Sequence, residues 1–203
     1  MLKLAGELIE GQLADHVARL DAHTINLYEQ FAVGQYLPLP LVYISYDLTM
    51  VQYRLYATYI VVARDMTFDR IAIDIETLDN GKDIRLGIYN CNSSLEPSSL
   101  VQDCGTVDTD STGLKAITLD PAVSLTKGRY FLAAITDSDG VAKVVNATPY
   151  SGGLGLSTNF DRARTGYQVT KTATEFAALG DPFGAANLDT ASPVIGLRVE
   201  SLD

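Results

Sequence analysis

The sequence predicts an all-β protein: an antiparallel β-sandwich of about eight strands, jelly-roll-like, preceded by a short N-terminal α-helical segment. Three observations carry that expectation. From about residue 50 onward, apolar residues recur with a period of two. Glycine-containing turn dipeptides separate those runs. Before residue 32 the spacing is instead three and four, with Leu13, Val17, Leu20, Thr24, Leu27 and Phe31 in one series.

The helical segment comes first. Its seam has one polar member, Thr24, and extends over only two to three heptads. A helix of that length is marginal alone in water. It must bury its stripe on copies of itself, on the sandwich or on a larger partner. Self-association as a trimer is the expectation, with Leu13, Val17, Leu20, Leu27 and Phe31 as the assembly interface. The stretch AVGQYLPLPL follows. Pro38 and Pro40 lack amide donors and extend their predecessors, so it reads as a semi-rigid linker. The predicted boundary divides residues 1–42 from a sandwich domain over 43–203.

Strands follow in order. Val51, Tyr53, Leu55, Ala57, Tyr59 and Val61 share one face of the first run. Ile71, Ile73 and Ile75 alternate with Ala72, Asp74 and Glu76. Ile84, Leu86 and Ile88 alternate with Arg85, Gly87 and Tyr89. GRYFLAAIT is apolar on both faces and reads as a central strand. In the last run, Ile195, Leu197 and Val199 oppose Arg198 and Glu200. Asn80-Gly81 and Asp139-Gly140 suit tight hairpins, while Thr112-Gly113 and Lys127-Gly128 punctuate the rest. Residues 146–192 are rich in Gly, Ala, Ser and Thr. They predict a hairpin near Tyr167–Thr172 and an ordered excursion over one end of the sandwich.

Composition narrows the function classes. Of 203 residues, 47% are apolar, enough for a sizeable core. The formal charge of −10 argues against nucleic acid and against an anionic membrane surface. No run reaches the roughly 18 apolar residues that a membrane span needs, and Glu7 and Glu10 interrupt any secretory core. No nucleic-acid partner, membrane insertion or Sec export signal is therefore expected. Cys91 and Cys104 are read as free thiols, at least partly buried, of a protein assembled in a reducing cytoplasm. The alternative is a disulfide closing a loop of about 14 residues.

Catalysis is not expected. The two histidines, His16 and His23, both lie in the helical segment, so the sandwich lacks its own imidazole base. Asp74 and Glu76 share one strand face and point the same way, unlike a glycosidase pair across a groove. Asp108-Thr-Asp110-Ser-Thr112-Gly113 opens like a calcium loop, but Leu119 stands where the closing acid belongs. No cofactor or metal is expected. The alternative to a structural protein is a carbohydrate-binding module without catalytic activity. The absence of tryptophan weighs against it, and eleven tyrosines weigh for it. Tyr89, Tyr150 and Tyr167 are the candidate ligand-facing residues; ordinary tyrosines half-buried at strand ends are the plainer alternative.

Two stretches carry a resemblance. RIAIDIETLDNGKDIRLGIYN, followed by GTVDTDSTGLKAITLDPAVSLTKGRYFLAAITD, resembles a β-sandwich module of phage tail-fibre and other virion appendage proteins. The matching motifs are Arg85–Tyr89 and Gly128–Ala133, and FAALGDPFGAANLDTASPVIGLRVE is similar to that family's tail. LADHVARLDAHTINLY resembles the short helical segments that precede such modules. The resemblance covers the chain from about residue 65 and concerns the sandwich pattern, so it assigns no site residue. It implies a virion-surface protein, assembled in the host cytoplasm, of tail-fibre, receptor-binding or capsid-decoration type. The implied partners are a homotrimer, other virion proteins and a host cell-surface glycan.

Overall fold

The computed structural model describes residues 32–37, 42–149, 166–189 and 191–202. The chain divides into two units, 1–32 and 33–203. The expected helix, with Leu13, Val17, Leu20, Leu27 and Phe31, lies outside the described residues, as does Tyr150.

The described part of the second unit is built almost wholly from strands: β1 (Val42–Thr49), β2 (Arg54–Val62), β3 (Met66–Thr77), β4 (Asp83–Cys91), β5 (Pro97–Asp108), β6 (Gly113–Leu125), β7 (Gly128–Thr136), β8 (Lys143–Pro149), β9 (Gly166–Thr170), β10 (Asn187–Asp189), β11 (Ser192–Pro193) and β12 (Ile195–Leu202). One short helix, α1 (Ala173–Ala177), follows β9. The first sheet runs β1-β8-β3-β12, with β6 also on β3 and β11 on β8; the second runs β10-β9-β2-β7-β4-β5. All pairings are antiparallel.

The period-two faces of β3, β4 and β12 meet in the layer between the sheets; in β2 the expected face turns outward and the alternate residues, Tyr56 and Ile60, enter instead. Ile71, Ile73 and Ile75 of β3 and Ile195, Leu197 and Val199 of β12 are buried on one side. Tyr56, Ile60, Ile84, Leu86, Ile88 and Leu132 are buried on the other. The Thr58 hydroxyl crosses the layer and donates to the Pro193 carbonyl at 2.6 Å. β7 lies between β2 and β4 and is buried on both faces, as its doubly apolar sequence predicts.

More strands are present than the expected eight or so. The additions include short β10 and β11 inside the Gly/Ala-rich stretch. The expected hairpin at Tyr167–Thr172 does not form: β9 ends at Thr170, and Thr172 caps α1. Thr172 Oγ1 accepts from the Glu175 amide, and the Glu175 carboxylate accepts from the Thr172 amide. That reciprocal capping box turns the chain into a helix instead of a return strand.

The turns also differ from expectation. Gly81 and Gly140 both have φ of +73°, as their dipeptides require. Neither closes a hairpin, because β3 and β4 lie in different sheets, and so do β7 and β8. Each is an arch between layers. Among the described residues, β4–β5 and β9–β10 are the consecutive strands that pair directly.

Candidate functional site

Three places in the sandwich warrant attention: the outer face of the second sheet, the loop group at one end, and the point where the chain enters. In β2, Leu55, Ala57, Tyr59 and Val61 point away from the first sheet, because their neighbours Tyr56, Thr58 and Ile60 point toward it. Tyr89, Phe131, Ala133, Ile135 and Tyr167 share that outer face. Residues 171–186 lie over it and bury Leu179 and Phe183 against it. Tyr89 meets Phe183 edge to face at 5.0 Å, and Phe131 meets Tyr59 and Tyr167 edge to face at 5.6 Å.

Polar bonds hold the cover down. Arg85 pairs with Asp103 at 2.9 Å and donates through Nε to the Phe176 carbonyl at 2.6 Å. Asp103 also accepts from the Leu179 amide, Asp181 accepts from the Leu100 amide, and the Phe183 amide donates to the Ser98 carbonyl. Gly87 leaves room for this packing: a Cβ there would stand 2.2 Å from Leu179 Cδ1.

This cover corrects the expectation for two of the candidate ligand-facing tyrosines. Tyr89 does face away from Ile88, yet it is 0% exposed, and Tyr167 is 5% exposed. The Tyr89 hydroxyl donates to the Gly180 carbonyl at 2.8 Å. Burial pushes its pKa well above the ordinary tyrosine value, with Asp103, Asp181 and Glu175 adding to the effect. Both tyrosines are core residues of the covered face.

The loop group comprises residues 50–53, 78–82, 109–112 and 137–142. Pairings such as Ile84↔Thr136, Ile75↔Gly113 and Thr77↔Lys143 bring these connections to one end. The group is acidic and densely bonded. Thr109, fully buried, donates to the carbonyls of Asp79 and Lys82. Asp110 accepts from the Gly81 amide at 2.6 Å, and Asp137 from the Asp83 amide at 2.8 Å. Desolvation, with Asp137, Asp108 and Asp110 close by, raises the pKa of Asp83. Asp108 pairs with Lys115 at 2.8 Å, which lowers its own pKa. The calcium-like stretch thus commits its first two carboxylates to Lys115 and Gly81. Among the described residues no group of three or more His, Cys, Asp or Glu is arranged to hold a metal ion. Aliphatic side chains are exposed beside this end: Val51, Leu78, Leu114 and Val141.

The chain joins the sandwich elsewhere. Residues 33–37, expected in the linker, run along β12: Tyr36 pairs with Arg198, and the Gly34 and Leu37 amides donate to Val199 and Leu197 carbonyls. Gly196 admits this contact, since a Cβ there would lie 2.9 Å from Tyr36 Cδ1. Val199 pairs with Phe68, near the start of β3, whereas the loop group lies beyond the end of β3. Entry and loop group therefore occupy opposite ends. Arg198 and Asp69 form a two-pronged ion pair beside the entry, which lowers the Asp69 pKa.

The cysteines are both free. Cys91 stands opposite Pro97, while Cys104 falls between Asp103 and Gly105, which pair with Gly87 and Leu86. Four to five residues of strand separate them, roughly 13–16 Å, too far for a bridge. Burial, then Asp103, pushes the Cys104 thiol up to about 12.

Compared with family models and with curated proteins, the sequence matches none.

Proposed function

We propose that this protein is a non-enzymatic structural component of a phage particle. Its N-terminal segment trimerises it or docks it, and a jelly-roll-like sandwich is displayed on the virion surface. The observation that carries this reading is the opposition of entry and loop group. Within the second unit, the end opposite residues 33–37 gathers four connections, and Val51, Leu78, Leu114 and Val141 are exposed in or beside them among aspartates. Exposed aliphatics within a polar rim suit contact with another macromolecule. The strand connections also support the jelly-roll-like assignment, since successive strands mostly alternate between sheets.

The test is the solution mass of the full chain. Trimer mass at micromolar concentration is expected. Leu20→Asp is expected to give monomers whose far-ultraviolet circular dichroism retains the β signature. A wild-type chain that stays monomeric, unchanged by Leu20→Asp, sinks self-trimerisation. Density for the chain in an intact particle then decides whether it docks on another virion protein.

A further inference from the structure

Beside the loop group, at the edge of the second sheet, lies a cavity of about 110 Å³ lined by Arg54, Gln168, Val169, Thr170 and Asn187. The register builds it. Arg54 pairs with Thr170, Tyr56 with Gln168, and Gln168 with Asn187, so these side chains emerge on one face at neighbouring positions. The Tyr56 hydroxyl accepts from the Val51 amide and feels the charges of Arg54 and of Asp189, which follows Asn187 along β10 beside the cavity. Gln168 Oε1 is buried and has no hydrogen-bond partner among the described residues. Buried polar atoms are ordinarily paired, and a hydroxyl donor entering the cavity would satisfy this acceptor.

We propose that this cavity binds the acidic end of a sugar, a uronic-acid-type unit carrying a carboxylate and adjacent hydroxyls. Arg54 supplies the planar fork that matches a carboxylate, and among the described residues no carboxylate forms a salt bridge with it. Gln168 Oε1 accepts from a sugar hydroxyl, while Asn187 and Thr170 each donate or accept. The lining holds no acid to receive an ammonium group, which disfavours amino acids and amines. A single cation in a chain of net charge −10 suits a monoanion better than a phosphate dianion. The volume lies below the roughly 300–1,000 Å³ of sites for drug-sized ligands, so one terminal unit is held rather than an extended chain. No aromatic platform lines it, and the expected Kd for a monosaccharide is on the order of millimolar. The cavity stands on geometry alone. Its assignment to a host-surface glycan rests on the display reading above, where several copies would raise avidity.

The experiment titrates the full-length protein with D-glucuronate, D-glucose and acetate, read by amide chemical shifts. Glucuronate is expected to give saturable shifts at Arg54, Gln168, Thr170 and Asn187, with glucose and acetate at least about tenfold weaker. Arg54→Gln is expected to weaken glucuronate about tenfold, and Gln168→Leu to weaken it while acetate binding stays unchanged. Both variants are checked for a native spectrum, and Arg54→Lys, which retains charge without the fork, is expected to bind at an intermediate level. Equal binding of acetate and glucuronate overturns the sugar assignment, and equal binding of glucose overturns the role of Arg54. No saturable shift with glucuronate overturns the site. That failure leaves the particle reading standing, because solution mass tests it separately.

Discussion

At the scale of single residues, the loop group shows how aspartates are held close by backbone amides and Lys115. Asp83 has its pKa raised by desolvation and by Asp137, Asp108 and Asp110. A carboxyl whose folded pKa lies above its unfolded value of about 3.9 favours folding when protonated. That contribution is complete below the unfolded pKa and is lost as pH rises through the folded one. At neutral pH the ionised Asp83 therefore weakens the fold. Asp83→Asn is expected to raise Tm by roughly 1–3 °C at pH 7, less in high salt, with no gain near pH 3. Thermal melts at the two pH values check it; an equal gain at both would place the effect outside ionisation. Asp69 has the opposite sign. Arg198 lowers its pKa, so its contribution is present above the unfolded value and lost as pH falls through the folded one.

At the scale of elements, the cover over the second sheet is the least expected piece. Residues 171–186 contain one short helix, and their hold comes from Leu179, Phe183 and bonds to Asp103, Tyr89 and Ser98. Phe183 is fully buried against Tyr89. Truncating it forfeits about 3–5 kcal/mol of packing. The cover carries no strand of the central sheet, so the loss is expected to be local. Phe183→Ala should speed hydrogen exchange of amides in 171–186 by about 100-fold or more, while β7 amides slow exchange as before. Equal acceleration in both would show that the cover and sheet open together.

At the scale of the whole molecule, connectivity sets the folding rate. Strands far apart in sequence form most of the pairings: β1 with β8, β2 with β7 and β9, β3 with β12. Each closes a long loop before any contact rewards it. Folding is expected on the millisecond-to-second scale typical of such sandwiches. Stopped-flow refolding of the full chain checks it, and a microsecond phase accounting for the whole amplitude would contradict the topology.

The sequence by itself determined which residues of β3, β4 and β12 enter the core between the sheets, but not those of β2, whose expected face, Leu55, Ala57, Tyr59 and Val61, turns to the outer side of the second sheet. Ile71, Ile73, Ile75, Ile84, Leu86, Ile88, Ile195, Leu197 and Val199 are all buried as their alternation requires. It also determined the centrality of β7, because a strand apolar on both faces needs two covers. The positive φ of Gly81 and Gly140 was legible too. That those turns arch between layers was not, since a turn residue specifies local geometry and says nothing of the strand beyond it. Tyr89 was read correctly as facing away from Ile88, but its cover comes from residues about ninety positions later. The cavity at Arg54 exists only because β9 and β10 bring Gln168 and Asn187 beside β2. Periodicity records which side a residue faces; what lies on that side depends on pairings between distant strands, and only the tertiary structure decides those.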